Sequence, residues 1–299
     1  MLSHFLSEPA PPRRVVVLGS RGFVGSKLLD VLKARGWASR AVPRQEIDLC
    51  EPGAAERLRS LLEPEDAVVV AAALTPDKGR DVATLMKNLR MAESLAQVLA
   101  ETPCAHLVYI SSDAVYDGRE PLISDETPPS PTDLYSLMHV ARERMLGHAA
   151  QAKNTPFCVL RPVAIFGAGD THNSYGPNRF MRTALKERRI QLFGGGEEIR
   201  DHVYVADVVA MIGSVLERRS TGVLNLASGR AVSFHDLAEL VGRLIGSGVT
   251  IEALPRSGKV THRHFDTTAL ARSLPQTKQT PLEDALRQSL EELQASSGR

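Results

Sequence analysis

Between residues 15 and 25 the chain reads Val15-Val16-Val17-Leu18-Gly19-Ser20-Arg21-Gly22-Phe23-Val24-Gly25, and its hydrophobic period changes where the glycines fall. The apolar run is too short for a buried helix and suits a buried strand, whereas Phe23, Val24, Leu28, Leu29 and Leu32 recur at helical spacing. The glycines therefore sit at a strand-to-helix corner. There Gly19 can take a tight turn, Gly22 admits a pyrophosphate close to the backbone, and Gly25 lets the helix pack against the sheet, with helix N–H groups facing the anion. This combination predicts a dinucleotide-phosphate site.

The same alternation continues. Apolar strand-like runs at 67–71, 107–110 and 157–160 are separated by amphipathic helical stretches at 25–35, 82–101 and 135–150, with a short strand at 38–42 and a short helix at 54–62. Such alternation predicts an α/β fold, a doubly wound parallel sheet with helices on both faces. After Arg161 the rhythm changes to the Gly- and Asn-rich stretch 167–177, a helix near 180–188, a strand at 190–193 and the triplet Gly194-Gly195-Gly196. A smaller C-terminal α/β lobe is expected there, with further strands at 203–205, 223–226 and 249–254 and helices at 207–217, 234–245 and from 282.

A chain of 299 residues can bury such a core without staples. Its 36 basic and 35 acidic residues give no global basic field, so no nucleic-acid partner is expected and a small anionic ligand fits better. Cys50, Cys104 and Cys158 are widely spaced and odd in number, which argues against a disulfide framework or a metal site. The start of the chain has only Leu2, Phe5 and Leu6 before Glu8-Pro9-Ala10-Pro11-Pro12, so neither a signal peptide nor a membrane span is expected. The expectation is a cytoplasmic protein whose residues 1–12 form a flexible arm.

Several local patterns then occur in one order: Gly19-x-x-Gly22-x-x-Gly25, Asp48-Leu49, Ala71-Ala72-Ala73, Asn88, Ser111-Ser112-Asp113-Ala114-Val115-Tyr116, Tyr135, Leu160-Arg161-Pro162 and Arg200-Asp201-His202-Val203-Tyr204-Val205-x-Asp207. As a set, over about residues 13–293, they resemble the extended short-chain dehydrogenase/reductase family, the NAD(P)-dependent epimerases and dehydratases of nucleotide sugars. The resemblance implies a Rossmann NAD(P)-binding domain over 13–165 and a lobe binding a nucleotide-diphosphate sugar over 166–299, with segments near 200–228 returning to the first domain. It also implies a homodimer, with Val140, Met145 and Leu146 as candidates for its face.

By that likeness Tyr135 is the acid/base that exchanges a proton with a sugar hydroxyl or carbonyl, and Ser112 hydrogen-bonds the reacting oxygen. A free phenol titrates near ~10, so work near neutral pH calls for a neighbouring cation or donors that favour phenolate. The family supplies that cation from a lysine four residues on. Here the residue is His139, which is shorter and mostly neutral at pH ~7, and Arg142 lies one turn further. Three readings stay open: a working substitute, a slow enzyme, or a binding protein that has lost turnover. Ala114 stands where the dehydratases carry a glutamate and where fucose synthases carry a cysteine, which leaves 4-epimerisation or reduction of a keto sugar.

For the cofactor, the likeness assigns Gly19, Ser20, Arg21, Gly22, Phe23, Val24, Gly25, Asp48, Leu49, Ala71, Ala72, Ala73, Asn88, Tyr135, His139 and Pro162. An NAD site places a carboxylate after the second strand, whereas an NADP site needs cations for the 2′-phosphate. No acidic residue precedes Glu46 here, and Arg44 and Arg21 suit a phosphate, so NADP is expected ahead of NAD. On the substrate side Asp113, Asn178, Arg200 and Arg263 resemble sugar- and diphosphate-binding residues, paired guanidinium groups being suited to a diphosphate.

Overall fold

The computed structural model describes residues 2–256 and 258–297. The chain opens with β1 (Ser3–His4) and β2 (Arg14–Leu18), then α1 (Phe23–Ala34), β3 (Ser39–Val42), α2 (Ala54–Leu61), β4 (Asp66–Val70), α3 (Val82–Glu101) and β5 (His106–Ile110). A 3-10 turn at Asp113–Val115 leads to α4 (Leu134–Ala152), β6 (Phe157–Pro162), β7 (Ala164–Phe166), α5 (Pro177–Glu187) and β8 (Arg189–Phe193). Then come β9 (Ile199–Arg200), β10 (His202–Tyr204), α6 (Val205–Glu217) and β11 (Ser220–Leu226). The rest is β12 (Val232–Ser233), α7 (Phe234–Ile245), β13 (Thr250–Leu254), α8 (Thr268–Ser273) and α9 (Leu282–Ser297).

Seven strands form the central sheet in the order β1-β11-β6-β5-β4-β2-β3, all parallel except β1. Because side chains alternate across a strand, each buried strand feeds both faces. Val15, Val17, Val69, Val108 and Leu160 pack with Leu28 and Leu32 of α1 and Val208, Ile212 and Val215 of α6. Val16, Leu18, Val68, Val70, Tyr109 and Val159 pack on the other face with Leu58 of α2, Leu95 and Leu99 of α3 and Leu146 of α4. This is the doubly wound Rossmann architecture. A separate core joins Phe180, Met181 and Ala184 of α5, Leu237 and Val241 of α7, and Ala285, Leu286 and Leu290 of α9, so the C-terminal lobe has its own interior.

Two expectations are corrected. Residues 1–12 are not a loose arm at their start: Ser3 and His4 pair antiparallel with Thr221 and Ser220, Leu2 is buried, and the Leu2 amide donates to Ser273 Oγ at 3.2 Å. The chain covers the exposed edge of β11, a row of backbone groups that would otherwise lack partners. Leu146 is fully buried under the sheet and Val140 packs against the opposite core, so neither offers an outward dimer face. Apolar side chains that α3 and α4 do expose are Val82, Met86 and Leu137. Among the described residues no helix is long and apolar enough to cross a membrane.

Candidate active site

The corner after β2 is built by steric necessity. Gly19 has φ +84°, and a Cβ there would lie 2.7 Å from the Ala72 amide nitrogen; a Cβ on Gly25 would lie 2.4 Å from the Gly19 carbonyl oxygen. Only glycine lets β2, the loop after β4 and α1 meet this closely. Gly22 differs, since its outer side is open and the Gly19 oxygen at 3.2 Å is the only atom near an added Cβ. Asp81, Asp133 and Ser233 cap α3, α4 and α7 with their side chains, whereas Gly22 at the start of α1 offers none. The first amides of α1 thus keep their positive end for a ligand anion, and the cradle that a Cβ would fill fits a dinucleotide pyrophosphate. Ser20 is buried and Arg21 exposed beside this turn, while Phe23 turns its ring into the C-terminal core and Val24 packs on the sheet core, so both offer the ligand backbone only.

Tyr135 sits in the first turn of α4, where Asp133 and Ser136 form a reciprocal cap: the Ser136 amide donates to Asp133 Oδ1 at 2.7 Å and the Asp133 amide to Ser136 Oγ at 3.1 Å. That fixes where α4 begins, and with it the phenol. The phenol faces the hydroxyl of Ser112, which follows β5 and accepts the Ala114 amide at 3.1 Å. Burial and the nearby Asp113 carboxylate push the Tyr135 phenol up to about 12, against the opposing pull of the Ser112 hydroxyl and the Arg142 charge. Tyr135 rests as a neutral phenol.

His139 stacks edge-on against Tyr135, ring centroids 4.7 Å apart, and its Nδ1 lies 2.7 Å from the Tyr109 hydroxyl; its Nε2 is buried with no partner. Burial, then repulsion by Arg142, brings its imidazole down to about 3. This histidine is neutral at physiological pH, which sharpens the weaker help expected of it. Arg142 is wholly buried. Its Nη2 donates to the Ala72 carbonyl at 2.7 Å, Nη1 lies 3.5 Å from Asn88 Oδ1, the guanidinium covers the Tyr109 ring at 5.0 Å, and Nε has no partner.

The remaining cofactor-side residues line the same carboxyl ends of the strands. The Ala71 amide donates to Leu18 O at 2.9 Å, Ala72 and Ala73 continue half-buried, and Asn88 holds the next residue by accepting from the Leu74 amide at 2.8 Å and donating back to its carbonyl at 3.0 Å. Pro162 closes β6. Beyond β3, whose Val42 carbonyl accepts the Gly19 amide at 3.2 Å, Arg44 Nε pairs with Asp48 at 2.8 Å and its guanidinium is otherwise exposed. Asp48 also accepts the Cys50 amide at 3.0 Å, and the Leu49 side chain is sunk in the core, so it can offer adenine only backbone.

On the substrate side the structure brings three of the four expected residues together. Arg263 donates to Asp113 Oδ2 at 3.0 Å and to the Tyr116 carbonyl at 3.1 Å, clamping the turn that follows Ser112. Arg200 is held by the Thr261 carbonyl at 2.6 Å and hydroxyl at 2.7 Å; burial, with the repulsion of nearby Arg263, lowers its pKa. Asn178 is the exception. It is buried, its oxygen accepts the Gly167 amide at 3.0 Å and its nitrogen donates to Asp170 at 2.8 Å, so it shapes the loop rather than facing a diphosphate. Asp201 and Asp207 cap no helix: they hold the turn at Ser228–Gly229 and the backbone of Thr280.

Two features escaped the sequence reading. Beneath Ser112, Ser111 donates to Glu143 Oε1 at 2.6 Å, Arg161 grips both Glu143 oxygens at 2.9 and 2.6 Å and also donates to the Tyr116 hydroxyl at 2.9 Å, which donates to Asn225 at 2.8 Å. A glutamate one turn after His139, with Arg161 in an apolar strand, was the available signal. Across the cleft mouth His172 Nδ1 lies 2.8 Å from Asp77 and 3.0 Å from the Thr75 hydroxyl, joining the loop after β4 to the loop after β7.

Residues 15–227 match the sequence profile of the NAD dependent epimerase/dehydratase family. The dTDP-L-rhamnose 4-epimerase of Burkholderia thailandensis is 25% identical, over 85% of this chain and 87% of its own. Methionine adenosyltransferase 2 subunit beta of Xenopus laevis is 31% identical, over 52% of this chain and 48% of its own. RMD from Pseudomonas aeruginosa, solved in complex with NADPH, superposes with a TM-score of 0.83 at 25% identity, covering 95% of this chain and 98% of its own.

Proposed function

The chain belongs to the NAD dependent epimerase/dehydratase family, and from that premise we propose that it is a nucleotide-sugar 4-ketoreductase or epimerase with Tyr135 as its acid/base. The observation that carries the reading is the Tyr135 phenol facing the Ser112 hydroxyl at the carboxyl ends of the strands, across β4 from the glycine corner. That is where ligands of doubly wound sheets bind. NAD(P), when bound, supplies the site with hydride chemistry.

The chain's own residues do the rest. The α1 amides hold the pyrophosphate, and Arg200 and Arg263 hold the sugar diphosphate. Ser112 Oγ donates to the reacting sugar oxygen and fixes it beside Tyr135 Oη. Since Tyr135 rests as a phenol, it starts the cycle as a proton donor to a carbonyl oxygen, which suits reduction of a keto sugar; an epimerase would begin with the phenolate as acceptor. The test is NADPH consumption with keto forms of nucleotide sugars. Stoichiometric loss of NADPH absorbance supports the reductase, isomerised sugar without net loss supports the epimerase, and neither, across sugars, overturns both.

Arg44 separates the cofactors. Its outward guanidinium at the end of β3 would meet a 2′-phosphate, so Arg44→Ala is expected to weaken NADPH binding about tenfold, as for one lost charge-assisted contact, and to leave NADH binding unchanged. Titration calorimetry measures this, and equal losses for both cofactors would remove the 2′-phosphate contact. A second reading rests on two observations, the neutral His139 and the likeness to an adenosyltransferase subunit. It is a nucleotide-binding subunit without turnover, distinguished by tight dinucleotide binding with no sugar turned over.

A further inference from the structure

A wholly buried guanidinium with no carboxylate within ion-pair distance is a costly thing to fold, and Arg142 is one. Among the described residues its partners are a backbone carbonyl, an amide oxygen, the Met138 sulfur at 3.8 Å and the Tyr109 ring face. Taking a charge out of water without a counter-ion opposes folding unless the charge serves something else. We infer that Arg142 is a positioning residue that supplies the fixed positive charge favouring the Tyr135 phenolate, while His139 stays neutral as a hydrogen-bonded spacer between them. The inference rests on Tyr135 as acid/base.

Geometry supports the division. Residues 135, 139 and 142 share one face of α4, and helical side chains lean toward the helix N-terminus, so the Arg142 head reaches back over Met138, one turn short of Tyr135. The Ala72 carbonyl that receives it belongs to the residue against which Gly19 packs, which sets the charge on the floor of the dinucleotide site. The other groups facing Tyr135 cannot do this. Asp113 and Asp133 are acidic and oppose phenolate, Ser112 only donates a hydrogen bond, and the nearby Tyr109 is itself a buried neutral phenol hydrogen-bonded to His139. The His139 ring cannot hold a proton beside Arg142.

Two titrations of the cofactor-free protein test this, and because they need no turnover they stand even if the enzyme reading fails. Carbon NMR of labelled tyrosine, with Tyr135 identified by its loss in Tyr135→Phe, follows the phenol on the alkaline side. Arg142→Met is expected to hold about tenfold less phenolate than wild type at the same alkaline pH, and Arg142→Lys to restore most of it. An unchanged curve in Arg142→Met, or a loss that Arg142→Lys does not rescue, overturns the inference. The second follows the His139 ring in the wild-type protein, so it holds even if Arg142→Met fails to fold. His139 is expected to stay neutral from mildly alkaline to mildly acidic pH; protonation near neutrality would give the charge to His139 and overturn the assignment to Arg142.

Discussion

Tyr135→Phe is expected to lower kcat by about three orders of magnitude, within the range for loss of a positioned proton donor or acceptor, while leaving the melting temperature and NADPH affinity close to wild type. The ring stays in place because its packing on His139 is edge-on and its position is set by the Asp133–Ser136 cap, neither of which uses the hydroxyl. A loss confined to KM would show instead that the phenol only binds substrate. The pH profile gives the sign of the proton transfer. With the phenol pushed up to about 12, its protonated form is complete through neutrality, so keto-sugar reduction should be flat there. An epimerase starting from phenolate should speed up about tenfold per pH unit over the same range.

Glu143→Leu is expected to destabilise the fold by about 3–5 kcal/mol, because it leaves Arg161 charged and buried without its carboxylate. The side chains are only 8% and 5% exposed, so water cannot take over. The double variant Glu143→Leu/Arg161→Leu should regain more than half of the loss, since removing both partners of a buried pair costs far less than orphaning one. Urea unfolding of the four proteins measures the cycle, and additive losses would show that the pair contributes nothing as a unit. The expected effect reaches activity too: through Ser111 and Tyr116 this pair ties the ends of β5, β6 and β11 to α4, so the distance between Ser112 and Tyr135 rests on it.

The parallel sheet was legible because strands buried on both faces read as uninterrupted runs such as Val15–Leu18, and because glycine leaves few alternatives at the corner that follows. Strands of two or three residues, β1, β7, β9 and β12, carry too few positions for any period, and β1 is set by a partner more than 200 residues away. Tyr135 and Ser112 were legible by their spacing within a recognisable set. What spacing cannot carry is where the second end of a polar group goes. Asn178 looked like a diphosphate ligand and spends both ends of its amide on its own loop; Arg142 looked like one more helix-surface cation and lies fully inside. Buried polar side chains are decided by long-range contacts that no local window contains.

The missing cap on α1 has one more consequence. A side-chain cap at a helix start is worth about 1 kcal/mol, and by placing Gly22 there the chain forgoes it. The ligand returns it: at a hundredfold excess over Kd, a bound dinucleotide adds about 2.7 kcal/mol to folding stability. Protein made where the dinucleotide is scarce would therefore spend more of its time open to proteases, and its abundance would follow the supply of the molecule it uses.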